Sequence, residues 1–196
     1  MGTNMNLGLN YTQLFFWQLY TNSPYFRETN YQPAVTLSSN FHQNWLATFG
    51  LVHESNGRGG TMERSWNRVY VDLGVSGADW YFSIKPWMPV FKAESSDHHN
   101  PDITHYLGHG RWLLALQTRY GQIAFMERNG LESGFRRGAY QLTYSYPLPH
   151  TKMRVYLQAF SGYGQSLIEY NHRTNAMGIG IAFNDWIITP NQHIRQ

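Results

Sequence analysis

The sequence contains no cysteine, and this absence removes a whole group of functions. Disulfide frameworks, thiolate nucleophiles and cysteine-ligated zinc sites all need a sulfur atom that the chain does not have. Any chemistry must therefore use hydroxyl, imidazole, amide or carboxylate groups.

Charge is scarce as well. Only 14% of the 196 residues are charged, against about 25% in soluble domains, while 16% are aromatic. This balance favours a surface that faces something other than water. The net charge of +3 is modest and the basic residues are scattered, so no nucleic-acid partner is expected.

Long apolar runs are also missing. No stretch approaches the ~20 residues that a membrane-spanning helix requires, and the mean hydropathy is -0.48. Residues 1–4 lack the basic and apolar regions of a signal peptide. The beginning of the chain therefore predicts neither secretion nor its absence.

Apolar residues instead alternate with polar or small ones at period two, which is typical of β-strands. Ten strands are predicted, starting at Leu7 and continuing near residues 31–39, 45–51, 69–75, 80–91, 105–120, 122–129, 138–146, 153–162 and 177–187. Strands of this length with one apolar face and terminal aromatics favour an all-β fold, an antiparallel transmembrane β-barrel. On patterning alone, a soluble β-sandwich or barrel with an ordinary core is the alternative.

One segment carries candidate chemistry. In a strand, residues two apart point the same way, so His53 and Ser55 stand side by side as a base and a hydroxyl. Asn67 ends the apolar face of the next strand, where its amide oxygen can accept a hydrogen bond from the imidazole and fix the tautomer. Taken alone, such a pair is more often an ordinary surface pair at a strand end. Glu54 points to the opposite face and is expected in the lumen or a turn.

The longer pattern is more specific. Residues 53–58, followed by residues 65–68, resemble the signature of the outer membrane phospholipase A family. The resemblance extends over nearly the whole chain, through residues 11–13, 26–31, 100–104, 161–164 and 166–168. Several separated motifs in the right order make a chance similarity improbable.

The resemblance implies a calcium-dependent enzyme that hydrolyses acyl esters of phospholipids at both glycerol positions. It implies Ser55 as nucleophile, His53 as base and Asn67 as the residue that orients the base. The backbone amides of Ser55 and Gly57 would adjoin the oxyanion. The implied location is the bacterial outer membrane, as a multi-pass barrel. A catalytically silent barrel, serving as a pore or as a structural or adhesion protein, is the alternative.

The resemblance also implies a calcium site and a homodimer. The calcium ligands would be the Arg58 carbonyl and side-chain oxygens of Ser23 and Glu63, although the family pattern has a serine where Glu63 stands. Gln13 falls among apolar residues on the expected lipid face, where an amide needs a partner. The resemblance places it at the dimer interface.

The last expectation concerns the number of strands and the extent of the barrel. The family barrel has twelve strands, and the resemblance begins after what would be its first two. We expect residues 1–187 to form the barrel domain and residues 188–196 a C-terminal tail.

Overall fold

The computed structural model describes residues 5–18, 22–90 and 99–183, which form one antiparallel sheet of ten strands. The strands are β1 (Met5–Gln18), β2 (Tyr25–His42), β3 (Trp45–Ser55), β4 (Ser65–Ser76), β5 (Trp80–Val90), β6 (Gly110–Thr118), β7 (Gly121–Arg128), β8 (Ala139–Pro147), β9 (Met153–Tyr163) and β10 (Arg173–Phe183). Each strand pairs with its neighbours in sequence. Within the described ranges β1 and β10 are the two edges, and no strand pairing joins them.

The two faces of the sheet differ as the alternation predicts. On β3, Phe49 is 53% exposed and points outward, whereas Val52 and Glu54 are buried and line a central cavity. Large apolar side chains are exposed along the outer face of the other strands too. Such a continuous apolar surface is unfavourable in water and suits the hydrocarbon of a bilayer.

The connections at the two ends of the sheet are unequal. Residues 43–44, 77–79, 119–120 and 148–152 form short turns at one end. The longer connections 56–64, 99–109, 129–138 and 164–172 gather at the other. There they bury a small apolar cluster made of Trp66, Trp87, Ile103, Leu107, Leu167 and Tyr170. The chain therefore has an open end and a packed, loop-covered end, which we call the capped end.

One predicted strand was partly wrong. Residues 105–120 were expected to be extended, but α1 (Ile103–Leu107) covers the first part and β6 begins only at Gly110. Ile103 and Leu107 are four residues apart, so one helical face directs both into the apolar cluster. Gly108, with a φ of 65°, ends the helix.

The other predicted strands are observed, with shifted ends: β2 is longer than residues 31–39, and β10 starts before Met177. The predicted ends at residues 91 and 184–187 lie outside the described residues, as does the proposed tail. Among the described residues, no helix is both long and apolar enough to cross a membrane.

Candidate active site

The register of β3 and β4 brings the predicted base and its partner together. His53 lies directly opposite Asn67, and Ser55 lies opposite Ser65. His53 Nδ1 is 2.9 Å from Asn67 Oδ1. Because a carbonyl oxygen can only accept, Nδ1 carries the proton and Nε2 is left free to act as a base. His53 and Asn67 therefore share a hydrogen bond, and their catalytic roles stay predictions.

Ser55 shares the outward face of His53, two residues further along β3, and is half-buried. No hydrogen bond joins the Ser55 hydroxyl to His53 in the described part of the chain. Serine–base contacts in free enzymes are often long and tighten only when substrate binds. The arrangement places the predicted nucleophile and the predicted base on one surface, next to the exposed side chains of Phe49 and Leu51.

The opposite face of the same strands is polar, and its buried carboxylate, Glu54, has hydrogen-bond partners. Glu54 is 8% exposed and accepts hydrogen bonds from Gln32 Nε2 at 2.8 Å and Trp66 Nε1 at 3.0 Å. It also forms an ion pair with Arg68. Glu54 is thus a lumen residue, as expected. Its bonds fix β2, β3 and β4 to one another directly behind His53 and Asn67.

The loop after Ser55 is shaped by Asn56, a residue to which the sequence assigned no role. Its buried side chain accepts from the backbone N–H groups of Arg58 at 3.3 Å and Arg64 at 3.0 Å. It also donates to the Met62 carbonyl at 2.8 Å. An Asn that bonds its own backbone two residues ahead is a recognisable turn signal. Asn56 therefore gives residues 56–64 a fixed shape.

Gly57 occupies a position where only glycine fits. Its φ is 64°, and an added Cβ would lie 2.9 Å from the Tyr31 ring. Its N–H group has no hydrogen-bond acceptor among the described residues. The backbone amide of Gly57 is therefore available to a ligand beside Ser55.

Glu28 holds Arg58, the residue after Gly57 in the loop, and this contact was not predicted from the sequence. Its fully buried carboxylate lies 3.6 Å from Arg58 Nε. Its other oxygen accepts from Asn30 Nδ2 at 2.7 Å and from the Ile168 N–H at 2.9 Å. Arg58 also donates to the Arg27 carbonyl. These bonds tie the loop after Ser55 to β2 and to residues 164–172.

The predicted calcium ligands are all oxygen donors, as this hard cation requires. The Arg58 side chain is turned toward Glu28 and Arg27. Glu63 is half-buried and ends a short 3₁₀ turn, Gly60–Met62. Ser23 is exposed in the loop between β1 and β2. The described residues contain no cluster of three or more His, Cys, Asp or Glu side chains, so a site here depends on one carboxylate with carbonyl and hydroxyl oxygens.

Two loop residues at the capped end, Tyr170 and Glu132, have pKa values that differ from their usual ones. Burial and the hydrogen bond to the Asp102 carboxylate raise the pKa of Tyr170, which keeps this phenol neutral. Burial alone would raise the pKa of Glu132, but hydrogen bonds from the ring and backbone N–H of His109 outweigh it and lower the pKa. These pairs connect residues 99–109 with the loops 129–138 and 164–172.

Gln13 lies on the outward face of β1, half-buried, between residues whose side chains are exposed. Its Oε1 accepts a hydrogen bond from the Tyr11 hydroxyl at 3.0 Å. The amide oxygen of Gln13 thus has a hydrogen-bond partner within its own strand. A contact of Gln13 with a second copy of the chain stays a prediction.

Comparison with known proteins decides the family. The model of the Phospholipase A1 family matches residues 1–183. The chain belongs to the phospholipase A1 family. Phospholipase A1 of Klebsiella pneumoniae is 38% identical over 194 residues, and that of Escherichia coli K12 is 36% identical. The match covers 94% of this chain but only 65% and 64% of those relatives, so the chain spans slightly less than two thirds of their length.

Solved structures of the family share the fold. The calcium-bound dimer of outer membrane phospholipase from Salmonella typhi has a TM-score of 0.83 and 34% identity, covering 93% of this chain and 72% of that one. Escherichia coli outer membrane phospholipase A has a TM-score of 0.82 and 35% identity, covering 93% and 71%. The predicted antiparallel transmembrane β-barrel fold is confirmed, and the soluble sandwich is excluded.

Proposed function

We propose that the chain is a calcium-dependent phospholipase of the bacterial outer membrane that hydrolyses the acyl esters of phospholipids. The observation that carries this proposal is the bond between His53 Nδ1 and Asn67 Oδ1, at 2.9 Å, on the same face as Ser55. A silent pore or adhesion protein gains nothing from an oriented base beside a serine. The names of the relatives support the same reaction class.

The proposed reaction follows from these groups. His53 Nε2 takes the proton of the Ser55 hydroxyl as its oxygen attacks the ester carbonyl. The amides of Gly57 and Ser55 donate to the resulting oxyanion, and loss of one such donor typically raises the barrier by about 2.7–4 kcal/mol. His53 then returns the proton to the departing glycerol oxygen. Water, deprotonated by the same base, cleaves the acyl-serine ester and restores Ser55.

The outward position of the three residues explains how a phospholipid substrate can reach them. Phospholipid reaches them from the bilayer along the apolar face of β3, and no channel through the lumen is needed. Asn67 orients the base without adding a charge, which is favourable beside lipid because a charge is expensive to bury there. Oxygens of Ser23, Arg58 and Glu63 would hold calcium, which would supply positive charge to stabilise the oxyanion.

By analogy with the calcium-bound Salmonella typhi dimer, we propose that this chain is active as a homodimer, with Gln13 at the interface. The barrel domain is proposed to extend to residue 187.

The proposed function is tested by ester release from phospholipid in detergent micelles, with calcium and with chelator. Wild-type protein should release fatty acid only with calcium, and Ser55→Ala should abolish release, because losing a triad member usually costs several orders of magnitude in rate. A sulfonyl fluoride should label Ser55. Ser76→Ala, at the opposite end of β4, is the matched control and should keep full activity. Near wild-type turnover in Ser55→Ala would reject the mechanism.

A further inference from the structure

The inward faces of the strands enclose a cavity of about 310 Å³ behind the proposed active site. Four basic side chains line it, namely Arg68, Lys85, Arg111 and Arg128, together with one carboxylate, Glu54. At roughly 30 Å³ per water molecule, the space corresponds to about ten waters. It is therefore large enough for a hydrated small ion.

The charges around this cavity do not balance. Glu54 pairs with Arg68, and Asp72 lies 3.7 Å from Arg111. Among the described residues, neither Lys85 nor Arg128 has a carboxylate partner. The cluster thus carries an excess of two positive charges. Uncompensated charges inside a protein are strongly unfavourable, so a counter-ion there would stabilise the fold.

The contacts of the two unpaired cations leave hydrogen-bond donors unused. The Lys85 ammonium lies 3.6 Å from the centre of the Tyr70 ring, and it donates no hydrogen bond to any of the described residues. Arg128 Nη2 donates hydrogen bonds to the carbonyls of Tyr163 at 2.6 Å and Gly164 at 3.1 Å. Its buried Nε has no hydrogen-bond partner in the described part of the chain. An aromatic face and carbonyl dipoles attract a cation but do not neutralise it.

We propose that the lumen is an anion-binding site that holds one small oxyanion, such as inorganic phosphate, between Lys85, Arg111 and Arg128. Oxyanions suit this site better than chloride because guanidinium groups bind their paired oxygens in a fixed fork geometry. The site is separate from the proposed active site. Arg68 and Glu54 point inward, while their neighbours Asn67 and His53 point outward. The inference therefore does not depend on the proposed function.

Calorimetric titration of inorganic phosphate into micelle-solubilised protein tests this site, in calcium-free buffer at constant ionic strength set with chloride. Wild-type protein should show one saturable site. Lys85→Met, which keeps most of the side-chain shape, should weaken binding at least tenfold. Lys152→Met, in the turn 148–152 at the other end of the barrel, is the matched control and should bind as tightly as wild type.

Three results would overturn the proposal. They are no saturable phosphate binding to wild type, unchanged affinity in Lys85→Met, and equal weakening in Lys152→Met, which would indicate diffuse surface attraction. Folding of each variant is checked by its circular dichroism. If Lys85→Met does not fold, Arg111→Gln serves as the second variant with the same expected loss. If neither folds, the wild-type melting temperature decides, since phosphate should raise it more than chloride at equal ionic strength.

Discussion

The hydrogen bond between His53 and Asn67 predicts that losing Asn67 lowers the rate less than losing Ser55. Asn67→Ala removes the group that fixes the imidazole tautomer, yet His53 can still act as a base when it holds the right one. The rate loss should therefore be roughly 10–100-fold smaller than that of Ser55→Ala. Turnover of both variants, measured at saturating calcium, checks this.

Asn67→Asp is the companion variant because it keeps the accepting oxygen. It should recover part of the activity lost in Asn67→Ala, with an altered pH profile, since a carboxylate beside the imidazole favours its protonated form. Equal losses in Asn67→Ala and Ser55→Ala would show that Asn67 does more than orient the base.

Glu63 tests the calcium proposal. A carboxylate in place of a hydroxyl adds negative charge to a hard-cation site, so calcium affinity should be higher with Glu63 than with serine. Glu63→Ser should raise the calcium concentration that gives half-maximal activity. Asp79→Asn, in the turn 77–79 at the far end of the barrel, removes the same charge and should leave that concentration unchanged. No shift in Glu63→Ser would remove Glu63 from the ligand set.

At the scale of elements, the alternation of apolar and polar residues was enough to predict ten strands and the outward face of His53, Ser55 and Asn67. The helix α1 was missed because its two apolar residues are directed by the cluster at the capped end, which local sequence does not reveal. Asn56 could have been recognised from its Asn-Gly turn. The role of Glu28 could not, since its partner Ile168 is 140 positions away.

The contact of Arg58 with Glu28 holds the loop 56–64 against β2, and this contact can be tested. Glu28→Gln keeps the shape of the side chain but removes the charge that faces Arg58, so the loop 56–64 should lose part of its order. We expect turnover at saturating calcium to fall roughly tenfold, equivalent to about 1.4 kcal/mol. The free energy of unfolding should fall by about 1–3 kcal/mol, because a buried carboxylate with several bonds is lost.

Glu169→Gln is the matched control at the same end of the barrel. Glu169 pairs with Arg27 at 2.9 Å, but its side chain is 37% exposed. An exposed pair contributes at most about 1 kcal/mol, and it does not touch Arg58. Turnover should therefore stay near that of wild type. A similar loss of turnover in both variants would show that Glu28 acts through general stability of the loops.

At the scale of the whole molecule, the outer face of β1 is the surface on which we propose that a second copy docks. Leu9 is 85% exposed and Phe15 is 53% exposed, and Gln13 lies between them with its amide oxygen bonded to Tyr11. Flat apolar side chains supply contact area there. The amide N–H₂ of Gln13, in the middle of that face, can donate a hydrogen bond across an interface.

Gln13→Ala should therefore shift the monomer–dimer balance in micelles toward monomer. Interhelical polar contacts in membranes average only about 0.6 kcal/mol, so by analogy the dissociation constant should rise about threefold. Activity should fall at limiting enzyme concentration and recover at higher concentration. Thr12→Ala, whose side chain lines the lumen, is the control and should not change association. Cross-linking yields that stay constant in Gln13→Ala would show that the bond to Tyr11 is the whole role of this amide, and would leave the assignment of His53, Ser55 and Asn67 untouched.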